Sequence, residues 1–262
     1  MSADGPRLTA AVIARDEERM LGGCLRSIAF ADERLVLVDA ATRDRTREVA
    51  ADCGARVEER TFDNFAAQRE AALRLAIGDW VLFVDADERV SAELRNEILA
   101  VIAQPGPVRG FWIPRHNHLL GRVVRHAGWF PDYQLRLLDR RHAHFDPRRV
   151  VHELAIVDGA IAHLREPLVH FNYENLGEFV RRQERYSALE AQRWLVTFGR
   201  PRLRAVFGQP VREFWRRYAI LRGYREGWLG LVLSLVLAYY AGKTVWLARL
   251  TPPLPREAPR PS

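Results

Sequence analysis

The sequence predicts an α/β protein with a mainly parallel β-sheet covered by helices on both faces, followed by a helical C-terminal region. Between residues 8 and 103, short apolar runs alternate with segments of helical periodicity, which is typical of parallel strands joined by helices. From residue 173 onward the pattern is helical and ends in a run without charges over residues 228–242. One α/β core with an appendage is therefore expected for the 262 residues.

The elements of the first half follow from apolar runs and helix-capping residues. Strands are predicted over residues 8–14, 34–40, 56–59 and 80–86. Helices are predicted over residues 17–29, from Thr42 or Asp44 to Cys53, over residues 65–76, and after Ser91. Residues 104–172 carry short strands dense in His, Arg and aromatic residues, and residues 173–198 form a further helix.

Composition restricts the partners and the compartment. The net charge of +7 favours an anionic partner, but only Lys243 of the 40 basic residues is a lysine, so the abundance of arginine is by itself no functional signal. Cys24 and Cys53 lack metal-type spacing, which argues against a disulfide scaffold or a zinc site. Because the N-terminus also lacks the pattern of a secretory signal, we expect a cytoplasmic protein.

Carboxylates follow three of the predicted strands. The first strand runs into Asp16 and Glu17, the second into Asp39, and the fourth into Asp85-Ala86-Asp87. In doubly wound sheets the ligand binds at this edge. Two carboxylates one residue apart repel unless a cation lies between them, and Mg²⁺ or Mn²⁺ favours such oxygen ligands. In the alternative interpretation, Asp87 caps the next helix and Asp85 is solvated.

Five sequence runs resemble the family 2 glycosyltransferases, and among them the bacterial lipopolysaccharide-core enzymes that add a β-linked glucose. The runs are LTAAVIARDEERML, LVLVDAATRDRT, FDNFAAQREAALRLAIGDWVLFVDADERVSAEL, HAGWFPDYQLRLLDR and VVHE. The resemblance implies a GT-A fold with a Rossmann-like, mainly parallel central sheet and a C-terminal helical, membrane-associating appendage. It also implies an inverting transfer of a hexose, with glucose expected, from a UDP-sugar to a lipid-attached saccharide such as the lipopolysaccharide inner core.

The resemblance further implies a domain division. A glycosyltransferase domain would cover residues 1–172, with a nucleotide-binding half over about 8–103 and an acceptor half over about 104–172. A basic and apolar membrane-interface region would cover residues 173–250, and a Pro-rich tail residues 251–262.

Individual roles are implied at the matching positions. Asp39 would contact the nucleobase, and a divalent metal, Mg²⁺ or Mn²⁺, would be the cofactor. The nucleotide-sugar would be bound by Ala14, Glu17, Asp39, Gln68, Arg69, Asp85 and Ala86, and the metal by Asp85, Asp87 and His152. The usual Ser-Gly-Ser-Thr after the nucleobase carboxylate is Ala40-Ala41-Thr42-Arg43 here, and the usual Asn before Glu17 is Asp16.

On the acceptor side the resemblance implies that Asp132 is the general base. Inverting transfer needs a carboxylate beside the acceptor hydroxyl, opposite the leaving diphosphate. Arg136 would orient that carboxylate or meet the charge of the leaving group. Pro131 stands where many relatives carry an acid, and the alternative role of Asp132 is a Pro-Asp turn.

The basic C-terminal stretch admits two interpretations. Residues 200–225 contain eight arginines and one acidic residue, Glu213, interleaved with aromatic residues. This composition suits phosphates and bases of a nucleic acid, or a membrane interface beside an apolar helix. The adjoining uncharged run favours the membrane, so no nucleic acid is expected as a partner. The 16 residues from 227 to 242 fall short of the roughly 20 that span a bilayer.

The expected partners are therefore a UDP-sugar, a lipid-linked or lipopolysaccharide-core acceptor, and the cytoplasmic face of the inner membrane. A helix pair lying on or dipping into the inner leaflet is favoured, with a buried core or dimer helix as the alternative. The alternative functions are transfer to a polyprenyl phosphate and a basic nucleic-acid-binding protein.

Overall fold

The computed structural model describes residues 7–148, 154–173 and 175–251. Its strands are β1 Leu8–Ala14, β2 Glu33–Asp39, β3 Arg56–Arg60, β4 Trp80–Phe83, β5 Glu88–Arg89, β6 Val108–Leu119, β7 Arg122–Val124, β8 Asp132–Asp139, β9 Ala143–His144, β10 Ile156–Val157, β11 Ala160–His163 and β12 Leu168–Tyr173. Its helices are α1 Leu21–Ser27, α2 Thr46–Asp52, α3 Phe65–Leu75, α4 Ala92–Ala103, α5 Leu176–Phe198, α6 Leu203–Trp215 and α7 Gly227–Leu250. A π-helical turn, Arg216–Ile220, continues α6, and a 3₁₀ turn, Gly223–Glu226, precedes α7.

The main sheet has the strand order β3-β2-β1-β4-β8-β6-β12-β5. Strands β3, β2, β1 and β4 are parallel to one another, whereas β8 is antiparallel to both β4 and β6. The predicted α/β class, with a mainly parallel first half, is confirmed.

The core lies on both faces of the parallel strands because side chains along a strand alternate between the two faces. Val36 and Val38 of β2 join one apolar cluster, which includes Leu21, Leu25 and Ile98. Leu35 and Leu37 point to the other face and join a cluster with Ala72, Leu73 and Phe83. Continuous apolar runs are therefore what these strands need, as the sequence predicted.

Two helices begin later than predicted because side chains hold the preceding loops in turns. Asp16 has φ +53°, and the Glu17 backbone N–H donates to Thr46 Oγ1 at 2.7 Å, so α1 begins at Leu21 rather than near residue 17. Asp44 Oδ1 accepts from the Thr46 N–H at 3.0 Å, so α2 begins at Thr46.

The chain divides into two compact units. The first comprises the described residues up to His116 and from Pro131 to Asn172; the second comprises Asn117–Phe130 and the described residues from Tyr173 onward. The second unit holds α5, α6 and α7 around an apolar cluster of Leu119, Val124, Tyr173, Phe179, Leu229 and Leu233. Within the described residues, Gly223–Leu250 is long and apolar enough to cross a membrane by length and composition.

Candidate functional site

The candidate site lies in the first unit, at the carboxyl ends of β1, β2 and β4. Asp39 is the last residue of β2, and Asp85 follows β4 by two residues. Strand β1 lies between β2 and β4. Because neighbouring strands are about 4.8 Å apart, β2 and β4 run about 10 Å apart on either side of β1.

Asp39 is almost completely buried at this edge. Its Oδ1 accepts a hydrogen bond from the Ala41 backbone N–H at 3.0 Å. Its Oδ2 lies 3.2 Å from Arg15 Nη1, but without hydrogen-bond geometry, and the nearby Thr42 Oγ1 is also buried without a hydrogen-bond partner among the described residues. Buried polar atoms normally have partners, so these two oxygens are suited to receive a polar ligand.

The loops after β1 and β2 are held together by side-chain to backbone hydrogen bonds. Asp16 Oδ1 accepts from the Arg43 N–H at 2.8 Å, and the Glu17 N–H donates to Thr46 Oγ1. Ala14 is buried at the end of β1. Asp16 therefore fixes the loop that follows Asp39.

Gln68 and Arg69 of α3 point in different directions. Gln68 is buried, and its Nε2 donates to the Thr61 carbonyl at 3.1 Å, while its Oε1 lacks a hydrogen-bond partner in the described part of the chain. Arg69 Nη2 lies 3.8 Å from Asp85 Oδ1. Arg69 thus contributes positive charge at Asp85, whereas Gln68 supports the end of β3.

A tight turn presents the Asp85-Ala86-Asp87 motif. The Asp85 N–H donates to Glu88 Oε2, and the Glu88 N–H donates to the Asp85 carbonyl, both at 2.9 Å. Arg89 Nη1 donates to the carbonyl of the buried Ala86 at 2.8 Å. This turn ends β4 at Phe83, three residues before the predicted end, and leaves the two aspartates on a loop.

Arg136 of β8 is paired with Asp85. Its guanidinium is buried and contacts both carboxylate oxygens: Nη1 donates to Oδ1 at 3.1 Å, and Nη2 donates to Oδ2. Burial acts to raise the pKa of Asp85, but the charges of Arg136 and Arg69 outweigh it and hold the pKa well below its usual range. Arg136 Nε is buried without a hydrogen-bond partner among the described residues.

Asp132 is held by a cross-strand partner that the sequence did not predict. Arg115 of β6 is in register with Asp132 of β8. Asp132 Oδ2 accepts from Arg115 Nε at 2.9 Å and from Nη2 at 2.6 Å, and Oδ1 accepts from Gln134 Nε2 at 3.0 Å. The orientation of the Asp132 carboxylate is therefore fixed on both oxygens.

Glu88 connects these two ion pairs. Its side chain is fully buried, and its Oε1 lies 3.3 Å from Arg115 Nη1 and 3.4 Å from Arg136 Nη2. Burial raises the pKa of Glu88, against the opposing charge of Arg136. A continuous chain of opposite charges thus runs from Asp132 through Arg115, Glu88 and Arg136 to Asp85; we call it the ion-pair chain.

Asp87 has a histidine neighbour that the sequence did not predict. Asp87 Oδ2 lies 3.3 Å from Nε2 of the buried His170, and the two segments are joined by the Phe171 N–H, which donates to the Asp87 carbonyl at 2.9 Å. His152, the predicted histidine ligand, lies outside the described residues.

The donor set fits a divalent cation that shares its ligands with a phosphate. In the described ranges, no group of three or more His, Cys, Asp or Glu side chains is placed to hold a metal by itself. Mg²⁺ is usually held by one or two carboxylates together with substrate phosphates rather than by a cage of protein ligands. Asp87 and His170 offer an oxygen and a nitrogen, whereas both oxygens of Asp85 contact Arg136.

A family model described as glycosyl transferase family 2 matches residues 9–152, more than half of the chain. The chain belongs to glycosyltransferase family 2. It is therefore a nucleotide-sugar glycosyltransferase, and the predicted family, fold class and enzyme class are confirmed.

Relatives of this family 2 glycosyltransferase include bacterial enzymes of similar length. The lipopolysaccharide core biosynthesis glycosyltransferase LpsC of Rhizobium meliloti is 28% identical over 240 residues, 89% of this chain and 88% of LpsC. An uncharacterized glycosyltransferase of Rickettsia bellii is 23% identical over 243 residues, 89% of this chain and 83% of that protein.

Other matches are longer than this chain. A TPR repeat-containing protein of Synechococcus elongatus is 31% identical over 161 residues, which are 61% of this chain and 38% of that protein. Among solved structures, S. aureus TarS has a TM-score of 0.47 and 14% identity, over 90% of this chain and 55% of TarS.

Proposed function

We propose that this glycosyltransferase moves a hexose, glucose, from UDP-glucose to a lipid-attached saccharide such as the lipopolysaccharide inner core, with inversion at the sugar. The observation that carries the proposal is the ion-pair chain, which connects a fixed carboxylate, Asp132, to the charged groups beside the Asp85-Ala86-Asp87 turn. The name of the relative LpsC supports the lipopolysaccharide core as the acceptor class.

UDP would lie across the carboxyl edge of the sheet, with Ala14 and Glu17 lining the end of β1. Asp39 Oδ2, which lacks a hydrogen-bond partner within the described residues, would accept the uracil imide N–H. The lateral spacing of about 10 Å between β2 and β4 is compatible with a nucleotide that lies across β1. Gln68 would support this pocket through the Thr61 loop.

The diphosphate would lie beside Asp85 and Ala86, where Arg69 and Arg136 supply positive charge. Asp87 and His170 would hold Mg²⁺ or Mn²⁺, with Asp85 reaching the ion through water, and His152 stays a predicted ligand. A divalent cation offsets the charge that develops on departing UDP. The unpaired Arg136 Nε–H is oriented by β8 and remains available, among the described groups, for a leaving-group oxygen.

Asp132 would remove the proton of the acceptor hydroxyl as the new C–O bond forms and the bond to UDP breaks. Arg115 donates two hydrogen bonds to Oδ2, whereas Oδ1 accepts from the neutral amide of Gln134, so the proton would go to Oδ1. Arg115 thereby acts as a positioning residue that selects the reactive oxygen.

The lipid-attached acceptor places the enzyme at the cytoplasmic face of the inner membrane, with residues 173–250 as the membrane region. The apolar stretch Gly223–Leu250 supports this location.

Calorimetric titration of UDP-sugars with and without Mn²⁺ tests the donor side. UDP-glucose should bind wild-type protein more tightly with Mn²⁺, and Asp87→Ala should remove the Mn²⁺ dependence while Asp39→Ala weakens binding with or without the metal. Equal affinity of Asp87→Ala and wild type in the presence of Mn²⁺ would overturn the metal assignment, and no affinity for any UDP-sugar would overturn the donor class.

A second candidate is transfer to a polyprenyl phosphate. The two hydrogen bonds from Arg115 to Asp132 Oδ2 favour it, because a carboxylate held in an ion pair is a weaker base. A phosphate acceptor is already an anion and needs no base. Asp132→Asn separates the two candidates, since transfer to a polyprenyl phosphate should survive this change.

A further inference from the structure

Helices α6 and α7 form an antiparallel hairpin within the second unit. Arg249 Nη1, near the end of α7, donates to the Pro201 carbonyl before α6 at 3.0 Å. Further along, Pro210 of α6 packs on Gly242 of α7, where a Cβ atom would come within 2.6 Å of Pro210 Cγ. The two helices are therefore in direct contact along their length.

Within the described part of the chain, helix α7 is covered on two sides and exposed on the third. Helix α5 covers one side: Tyr240 Oη donates to the Val180 carbonyl at 3.3 Å, and Lys243 forms an ion pair with Glu184. The α6 contacts at Gly242 and Arg249 define another side. The exposed apolar and aromatic residues of α7 fall within an arc of about 100° on the helical wheel, which overlaps the α6 side at Gly242. They are Trp228, Leu231, Leu235, Tyr239, Trp246 and Leu250.

Helix α6 carries a second exposed stripe at four-residue spacing, formed by Leu203, Phe207, Val211 and Trp215. Phe207 is 71% exposed. The two helices are antiparallel and touch at Pro210 and Gly242. With this contact fixed, helical wheels place the α6 stripe on the same side of the pair as the exposed arc of α7. Two exposed arginines of α6, Arg204 and Arg212, lie within or beside this stripe on the helical wheel.

We propose that these ten apolar residues, which we call the hairpin surface, dock into the headgroup region of an anionic bilayer, with α7 lying in the plane of the interface rather than crossing it. The proposal deepens the membrane location included in the proposed function. The chemistry fits, because amphipathic helices with Trp, Phe and Leu on one face and arginine at the border bind anionic lipid surfaces in this way.

The packing of α5 argues against a membrane-spanning α7. Helix α5 carries seven charged residues within 23 positions, and its Glu184 meets Lys243 two-thirds of the way along α7. If α7 crossed a bilayer, this side of α5 would be carried into the hydrocarbon, where charged side chains are strongly disfavoured. Lying in the interface plane keeps the charges of α5 in water and still buries the hairpin surface.

Charge also argues against a second copy of this chain as the occupant. A two-fold interface brings the same surface of both copies together. The exposed arginines of α6 would then face one another across the interface and repel, whereas anionic headgroups neutralise them.

Vesicle flotation of the full-length protein tests the docking surface. Wild type should float with phosphatidylcholine vesicles that contain phosphatidylglycerol and much less with phosphatidylcholine alone. Phe207→Glu and Leu235→Glu should each lower the bound fraction about tenfold, since each removes an inserted apolar side chain and adds a repelled charge. Ile77→Glu, at a 50% exposed apolar residue of the first unit, is the matched control and should float like wild type.

Three outcomes would overturn the docking surface. The first is that wild type does not float with the anionic vesicles. The second is that Leu235→Glu floats to the same extent as wild type. The third is a wild-type dimer in sedimentation that Leu235→Glu converts to a monomer, which would assign the surface to a second copy. Because these vesicles contain neither donor nor acceptor, failure here is distinct from failure of UDP-glucose titration, which would concern the proposed function.

Depth measurements test the in-plane orientation. A fluorophore is attached to Trp228→Cys, Tyr239→Cys or Leu250→Cys in a Cys53→Ser background, and quenching is compared for lipids brominated at shallow and deep acyl positions. In-plane binding predicts one shallow depth for all three sites. The two end positions are about 33 Å apart along the helix, so a spanning helix would place Tyr239 deep and the ends at opposite interfaces, which would contradict the proposal.

Discussion

At the scale of single residues, the site is a set of alternating charges, of which Glu88 and Arg136 are buried. Three carboxylates, Asp132, Glu88 and Asp85, alternate with two guanidiniums, Arg115 and Arg136, in the ion-pair chain. Burying a charge is costly unless it is paired and hydrogen-bonded. The position of each side chain therefore depends on its neighbours, and the orientation of Asp132 is linked through Arg115, Glu88 and Arg136 to Asp85.

Arg115→Ala should lower kcat about 100-fold while the KM for UDP-glucose changes little. Arg115 contacts Asp132 and Glu88, on the acceptor side of the ion-pair chain, so its loss releases the base without removing a donor contact. Arg115→Lys should restore part of the rate, because a lysine keeps the charge but not the paired hydrogen bonds. Steady-state kinetics with Arg109→Ala as the control checks this, and equal losses in kcat and in UDP affinity would contradict it.

Arg136→Leu should lower the free energy of unfolding by about 3–5 kcal/mol, because it leaves Glu88 and Asp85 without their shared buried partner. Urea denaturation measures the change. Arg74→Ala breaks the pair with Glu70, in which Arg74 is 79% exposed, and should cost less than about 1 kcal/mol. Similar midpoints for the two variants would show that Arg136 is not a structural centre of the site.

At the scale of elements, the sequence predicts those strand and helix boundaries that depend on residues close together in the chain. The apolar run of β1 predicted Leu8–Ala14 as it is found, and Ser91 does cap α4, since its Oγ accepts from the Leu94 N–H at 3.1 Å. The later start of α1 was missed because it depends on Thr46, which lies 29 residues from Glu17 in the sequence.

The same distinction applies to the site. Asp39 and Asp85 could be located because each follows an apolar strand. Arg115 and His170 could not, because their contacts with Asp132 and Asp87 follow from the register of β6 on β8 and the pairing of β12 with β5. No local spacing encodes such a register. Glu88 directly follows the Asp85-Ala86-Asp87 motif, but the sequence did not show that its side chain is buried.

Glu226, just before α7, anchors the loop that contains His126. Its Oε1 accepts from the backbone N–H groups of Arg125 and His126, at 3.0 and 2.9 Å, and contacts His126 Nδ1 at 2.6 Å. Partial burial acts to raise the pKa of Glu226, but these hydrogen bonds outweigh it and lower the pKa below its ordinary value of 4.5. The folded state therefore binds this proton less readily than the unfolded chain does.

The stability that Glu226 contributes is present above pH 4.5 and is lost as the pH falls through the lowered pKa. The Tm of wild type should consequently fall more steeply on acidification below pH 4.5 than the Tm of Glu226→Gln, which carries no titrating carboxyl at this position. Calorimetric scans over a pH series check this. If Tm depends on pH in the same way for the two proteins, Glu226 does not cause the loss of stability in acid.

At the scale of the whole molecule, family 2 membership gives the class of donor, and we propose the second unit as the membrane region. The segment Asn117–Phe130 belongs to the second unit, and Asp132 follows it by two residues. This segment packs on α7 through Leu119 and Val124, which share an apolar cluster with Leu229 and Leu233. This connectivity is consistent with an acceptor presented at a membrane.

The central claim, that Asp132 is the general base of transfer to a saccharide hydroxyl, is tested most directly by the single-turnover rate of glucose transfer from UDP-glucose by Asp132→Asn. The acceptor is lipopolysaccharide from a strain that lacks the enzyme, and UDP affinity is measured in parallel. We expect the single-turnover rate of Asp132→Asn to be about 10²–10⁴-fold below that of wild type, with UDP affinity unchanged. A rate near that of wild type would contradict it.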